Sequence, residues 1–592
     1  MVGFWIGFAV LLLLMLAVLE LNKNVLLGFV LLLLASSAFA FVFVKFLRGK
    51  WYRCLLGWVA WLGAFAGILF LTWPPVQAVP AYEPGTEPVR TGVVSLADGD
   101  VRGVVIEDGA VELYAGIPYA APPVGELRWK ETQPPKPWDG VLEADHFAPM
   151  MAQPTNLPIY NSLSQIIGYH DYKISLHDNY IPPVSEDALY LNVWKPAGEQ
   201  TGLPVLVYVH GGSLQTGQPW YGDYAGKGIA ARENMVVVNL GYRLGAFGFF
   251  ASEELAAESP NGTTGNYGLL DQIQALEWVR DNIAAFGGDP DQVTLAGESA
   301  GAACVSALCT SPLAKGLFRY AVLESSTVAS IEPPHSFRLL EEALSSGEEM
   351  RERLGVKSLA DLRALGESAL YQEAYTQHHI TIDGYVLTET PYASYRKGIH
   401  NEEALLHGYN SEESGPFILF SHANLSNYED KVRAYFEEYS DEVLALFHPT
   451  TDAEADRYWA AIYGAVFFNY PHYCLNRLAA AIDLPTYAYR FQKTNGRLGP
   501  WHSGELIYFY GNVPAASPLF DDTDRALSGT IMDYLKNFAV TGDPNGANLP
   551  VWEQSPDGTR LMQLDTETGM ADEQLLSFYA ILDRMQGWEA MP

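Results

Sequence analysis

The stretch Asp291-Gln-Val-Thr-Leu-Ala-Gly-Glu-Ser-Ala-Gly-Ala302 decides how the rest of the chain is read. Val293, Thr294 and Leu295 have the character of a buried strand end, and Ala302 to Leu308 continues in small residues suited to a helix. Between them, Gly297-Glu-Ser-Ala-Gly301 fits G-x-S-x-G. A turn this tight from strand to helix strains the backbone of its central residue, and glycine two positions before and after avoids a clash. Ser299 is therefore expected to project from the sheet edge, beside the unpaired N–H groups of a helix N-terminus. The pentapeptide also occurs in ordinary glycine turns, so its strand-and-helix setting carries the weight.

Outward from this stretch, apolar runs alternate with helical periodicity. Residues 203–209 form a continuous apolar run ending in His210-Gly-Gly-Ser213, and 235–240 form another leading to Tyr242-Arg-Leu-Gly245. Leu269, Ile273, Leu276, Val279, Ile283 and Phe286 recur every three or four residues, which predicts an amphipathic helix ended by Gly287-Gly288. Residues 91–113 read as paired short strands, and Leu189, Leu191 and Val193 alternate as in a strand. Further strands are expected at 320–324, 404–409 and 486–491, with helical segments at 332–373 and 430–461 that cap the site. The alternation argues for an α/β fold with a mostly parallel sheet and helices on both faces.

The first 79 residues differ in kind. Three uncharged apolar runs, about 2–19, 25–44 and 54–73, follow one another, each long enough to cross about 30 Å of hydrocarbon. Lys45, Arg48, Lys50 and Arg53 lie between the second and third runs, whereas the first connection holds only Glu20 and Lys23. The positive-inside rule puts the basic loop in the cytoplasm and the large domain outside it. Residues 80–90, rich in Pro, Gly and Glu, read as a stiff linker, and 91–592 as the soluble domain. Beyond residue 79 the chain holds 31 basic against 68 acidic residues, a net of −37. So negative a surface repels nucleic acid and anionic lipid, leaving the N-terminal helices as the expected membrane contact. Cys54, Cys304, Cys309 and Cys474 have no metal-site spacing and read as small buried side chains, so neither a metal nor a disulfide framework is expected.

The segments GIPYAAPPVGELRW (116–129), SEDALYLNVW (185–194), HGGS (210–213), NYGLLDQIQALEWVRDNIAAFGGDP (266–290) and VTLAGESAGA (293–302) together resemble the type-B carboxylesterases of the cholinesterase/carboxylesterase family. The resemblance covers about residues 90–590 and implies the α/β-hydrolase fold, with no cofactor. It implies serine carboxylester hydrolysis through an acyl-enzyme, with a small ester as substrate. A non-catalytic binding relative, or the same chemistry on thioesters, lactones or amides, stands as the alternative.

The resemblance also assigns roles. Ser299 is the nucleophile. The base is expected after the strand at 486–491, where His502-Ser-Gly-Glu505-Leu matches the family's H-x-x-E-L segment. The acid is expected after the strand at 404–409, where counting from Gly408 selects Glu413 with Glu412 adjacent; the family's following glycine is Ser414 here. The oxyanion donors would be the N–H groups of Gly212, Ser213 and Ala300, with Ser213 in place of a third family glycine. Ala188 stands where the family often has a cysteine, and Trp138 is the last tryptophan before Ser185, so choline esters find no support. Residues 160–180 are expected to form a surface loop.

Overall fold

A computed structural model of the protein describes residues 2–167, 180–494, 499–515, 517 and 519–588. The chain divides into two compact units, residues 1–87 with 155–183, and residues 88–154 with 184–592.

Among the described residues of the first unit, three helices, Val2–Leu21, Leu26–Leu47 and Trp51–Leu71, are long and apolar enough to cross a membrane. At 1.5 Å per residue they match the thickness of a hydrocarbon core. The second ends in a π-helical turn, Phe43–Leu47, and the third begins at Trp51. Lys45 and Arg53 therefore sit on helix ends, and the connection is shorter than the sequence pattern suggests. Polar atoms inside the bundle are paired: Asn24 Nδ2 donates to the Leu69 carbonyl at 2.8 Å and to Thr72 Oγ1 at 2.9 Å, and Trp61 Nε1 donates to Ser36 Oγ at 3.1 Å. Large apolar side chains such as Leu13, Leu34 and Leu56 face outward, as lipid-facing residues would. Pro158–Ile167 is a helix rather than the loop expected at 160–180; residues 168–179 lie outside the described residues.

The second unit is built on one mixed sheet. In chain order its strands are β1 (Arg90–Leu96), β2 (Gly99–Ile106), β3 (Val111–Pro118), β4 (Val141–Glu143), β5 (Tyr190–Pro196), β6 (Leu203–Val209), β7 (Val236–Leu240), β8 (Gly288–Glu298), β9 (Tyr320–Glu324), β10 (Ala404–Asn410), β11 (Thr486–Phe491), β12 (Arg560–Leu564) and β13 (Gly569–Asp572). Their spatial order is β13-β12-β11-β10-β9-β8-β6-β7-β5-β3-β2-β1, with β4 beside β2. From β7 to β12 every pairing is parallel. The remaining pairings along that path are antiparallel, and β4 pairs β2 in parallel.

Strands β7, β9 and β10 are buried at every residue, because helices cover both sheet faces. This is why they read as largely apolar runs rather than alternating ones. The chain leaves β6 to one side for β7 and to the other for β8, making a topological switch at β6. Ligands of open α/β sheets bind outside the carboxyl ends of the strands at such a switch. His210–Ser213 follows β6 there, and Ser299 follows β8.

One expectation needs revision. The helix over Tyr267–Asn282 is buried on nearly all sides, not amphipathic. Its polar Asp271 is fully buried because it pairs with the equally buried Arg243, Nη2 to Oδ1 at 2.7 Å. An ion pair satisfied in this way lets polar letters stand in a core helix. The segment 332–373, expected to be helical, is built of the helices Leu340–Leu354, Leu359–Arg363 and Glu367–Tyr371, broken at Gly355 (φ 67°) and before Gly366. The segment 430–461 likewise resolves into Tyr428–Phe436, Ser440–Leu446 and Asp452–Gly464. All four cysteines are free thiols.

Candidate active site

Ser299 stands between β8 and the helix Ala300–Leu308 with φ 54° and ψ −127°. A non-glycine residue held there costs about 1–3 kcal/mol, stored because its surroundings over-determine it. Its N–H donates to the Glu324 carbonyl at 2.8 Å. A Cβ on Gly297 would lie 2.6 Å from the Gly301 carbonyl carbon, and one on Gly301 would lie 2.1 Å from the Val209 carbonyl oxygen. Both glycines are thus required by close backbone approach.

His502 lies in the loop after β11, and its Nε2 is 2.8 Å from Ser299 Oγ. Its Nδ1 is 2.6 Å from Glu413 Oε2. The other Glu413 oxygen accepts the Asn410 N–H at 2.6 Å, so the carboxylate is fixed by the strand it follows. Glu413 is buried at 1% exposure, whereas Glu412 is exposed, its backbone forming an isolated β-bridge with Trp501. Ser414 has φ −70° and ψ −22°, an ordinary helical conformation open to any residue, so the family's glycine is dispensable here. The Asn410 side chain donates to the Trp501 carbonyl at 2.7 Å, tying the loop that carries His502 to the end of β10.

The loop after β6 approaches Ser299 closely. A Cβ on Gly211 would meet Ser299 Cβ at 3.0 Å and the Glu298 carbonyl at 2.7 Å. Gly212 has φ 105° and Ser213 φ 56°. Left-handed backbone turns successive N–H groups toward one side, which makes an anion-binding concavity. Ser213 and Ala300 line the cavity above Ser299, and Ala300 is the first residue of its helix, where N–H groups lack intrahelical acceptors.

The sequence reading passed over two carboxylates. Glu298, inside the quoted motif, is buried with Oε1 3.3 Å from His502 Nε2, and it accepts from Ser503 Oγ at 2.6 Å. Glu505, in the H-x-x-E-L segment, accepts from Ser325 Oγ at 2.9 Å and bonds Asn410 Nδ2. Both stand beside residues already singled out, and that adjacency was the available signal. Burial opposes the charged imidazolium of His502, but Glu298 and then Glu413 outweigh it and raise its pKa to about 9. Burial, with Glu298 and Glu413 adding, raises Glu505 to about 8, so it is largely protonated near neutrality. Burial also raises Glu298, against the attraction of His502 and the Ser503 hydrogen bond.

Above Ser299 lies a cavity of about 610 Å³ including its mouth, with Phe417, Tyr463, Phe467 and Phe468 among its lining residues. The His502 ring packs against Phe417 and Phe468 at centroid distances of 5.0 and 4.8 Å, which limits its rotation. Among the described residues, no group of three or more His, Cys, Asp or Glu side chains is arranged to hold a metal ion.

Comparison with known proteins agrees with this architecture. The family described as the carboxylesterase family matches residues 90–579. Fumonisin B1 esterase of Sphingopyxis macrogoltabida is 30% identical over 537 residues, spanning 87% of this chain and 94% of the relative. Carboxylesterase 1C of Mus musculus is 31% identical over 520 residues, spanning 81% and 90%. Para-nitrobenzyl esterase of Bacillus subtilis is 31% identical over 498 residues, spanning 80% and 95%.

Proposed function

The chain belongs to the carboxylesterase family, and on that premise we propose that it is a serine carboxylester hydrolase working through an acyl-enzyme. The observation that carries the proposal is the hydrogen-bonded series Ser299–His502–Glu413, at 2.8 and 2.6 Å. A serine hydroxyl is a weak nucleophile until a base takes its proton. Ser299 Oγ attacks the ester carbonyl while His502 Nε2 accepts the hydroxyl proton. The imidazolium then delivers that proton to the leaving alcohol, and the acyl group remains on Ser299. Water, deprotonated by His502, repeats the attack and frees the acid. Glu413 holds the ring with Nδ1 protonated and stabilises the imidazolium.

The tetrahedral oxyanion is received by the N–H groups of Gly212, Ser213 and Ala300, each such donor contributing about 2.7–4 kcal/mol. Named relatives include a fumonisin esterase, mammalian carboxylesterases and a bacterial para-nitrobenzyl esterase, so esters are the substrate class by kinship as well as by geometry. The three N-terminal helices tether the enzyme to a membrane. The charges Lys45, Arg48, Lys50 and Arg53 favour a catalytic domain on the extracytoplasmic side.

Hydrolysis of a p-nitrophenyl ester by the purified full chain, compared with Ser299→Ala, tests the proposal. The variant should lose activity by about 10⁴-fold or more. Turnover that survives the substitution refutes the mechanism.

A further inference from the structure

The wall of the cavity over Ser299 is polar in part, with Gln215, His378 and His379 among its lining residues. An enclosure meant for alkyl chains alone has no use for imidazoles, since a buried polar group without a partner is unfavourable. His378 and His379 lie ring to ring with centroids 4.2 Å apart. Nδ1 of each is enclosed and has no hydrogen-bond partner among the described residues. His335, which also lines the cavity, is different. Its Nε2 is 3.1 Å from the Phe467 carbonyl and its Nδ1 is 3.1 Å from Ser336 Oγ. A carbonyl only accepts, so His335 donates from Nε2 and accepts from the Ser336 hydroxyl, and its capacity is spent.

The charge state of the pair follows from its setting. Burial, helped by the Arg338 cation, lowers His378 to about 4. Burial, then His378 and Arg338, lowers His379 to about 3. Arg338 is buried and held by neutral groups, Ser346 Oγ at 2.6 Å, the Phe249 carbonyl at 2.7 Å and Gln377 Oε1 at 3.2 Å. Its charge is thus not cancelled by a directly bonded carboxylate. Both imidazoles are neutral near pH 7, each keeps one N–H, and both lie in a positive field. With Nδ1 closed off, the economical tautomer of His379 carries its proton on Nε2, as a donor, whereas the His378 ring also faces the Ala374 carbonyl.

Resting on the reading of Ser299 as an ester-cleaving nucleophile, we infer that this wall selects esters whose acyl or alcohol part carries an oxygen acceptor near the scissile bond. His379, its ring against that of His378, is the hydrogen-bond donor, and a carbonyl, ether or carboxylate oxygen is the acceptor. A site built to hydrogen-bond a substrate group rejects the analogue that lacks it, because its own polar groups are then left unpaired.

The experiment compares kcat/KM of the full chain by pH-stat on matched esters. On the acyl side these are ethyl pentanoate, ethyl 4-oxopentanoate and monoethyl succinate; on the alcohol side, butyl acetate and 2-methoxyethyl acetate. The oxygen-bearing member of at least one set should lead its alkyl partner by about tenfold, the worth of one good hydrogen bond. That lead should fall by about tenfold in His379→Phe and return in part in the matching Asn variant, which keeps a donor. A lead confined to the succinate identifies an anionic acceptor favoured by Arg338; a lead shared by the ketone or ether identifies a neutral one. Wild-type enzyme that cleaves the alkyl esters as fast, or a lead that survives His379→Phe, overturns the inference while leaving the esterase reading intact. Wild-type enzyme inert on every ester overturns both.

Discussion

Replacing Glu298 by glutamine should move the pH dependence of ester cleavage toward acid. Glu298 Oε1 lies 3.3 Å from His502 Nε2, and both groups are buried. After the opposing effect of burial, Glu298 is the largest influence holding the imidazolium at a pKa of about 9. Coulomb's law at that separation gives about 1.3 kcal/mol in a water-like dielectric and about 5 kcal/mol at an effective dielectric of about 20. One pKa unit corresponds to about 1.4 kcal/mol, so removal of the charge should lower the His502 pKa by about one to about four units. The sign follows from the base: His502 accepts the Ser299 proton only when neutral, and a weaker hold on the imidazolium makes it neutral at lower pH. With a pKa of about 9 some 1% of free enzyme has the neutral ring at pH 7, and with a pKa of about 8 some 10%. The assay is kcat/KM against pH from about 6 to about 10, which reports the free enzyme. Glutamine keeps the shape and leaves an acceptor for Ser503 Oγ. A midpoint within about 0.3 units of wild type, or a wild-type profile flat between about pH 5 and 8, would falsify the argument.

Other substitutions separate neighbouring residues. Glu413→Gln should lower kcat by about 10⁴-fold, because the ring loses the partner that fixes its tautomer; exposed Glu412→Gln should stay within about threefold, and equal effects in the two would reverse their assignment. Gly212→Ala forces a Cβ to within 2.1 Å of the Thr216 carbonyl at φ 105°, so the loop must shift and kcat should drop by about 10²–10³-fold with KM little changed. Ser213→Gly keeps the N–H and relieves a left-handed serine at φ 56°. It should raise unfolding stability by about 1 kcal/mol in thermal denaturation with kcat retained. Protease added to intact spheroplasts should release the large domain; protection would place it on the cytoplasmic side.

Much of this molecule was legible because it is local. Residues 203–209, 235–240 and 320–324 read as strands from their largely apolar runs, and glycines two residues either side of Ser299 signalled the sharp turn. The N-terminal helices followed from length and lack of charge. The helix at Tyr267–Asn282 misled, since periodicity cannot foresee that Arg243 pairs with Asp271 and draws the polar face inward. The long segments at 332–373 and 430–461 broke into shorter helices because glycine and packing against neighbours end helices that composition alone would continue.

Sequence alone carried the fold class and the setting of the candidate serine, written in the spacing of nearby residues, while the candidate histidine came from its place after a strand and the resemblance of its H-x-x-E-L segment. Which glutamate meets the ring, and how many carboxylates crowd it, only the tertiary structure decided. His502 comes from 203 positions beyond Ser299 and 89 beyond Glu413, and contacts at such separations are set by sheet order and loop closure. The pKa of an imidazole depends on charges and burial a few ångströms away, and those are properties of the packed molecule.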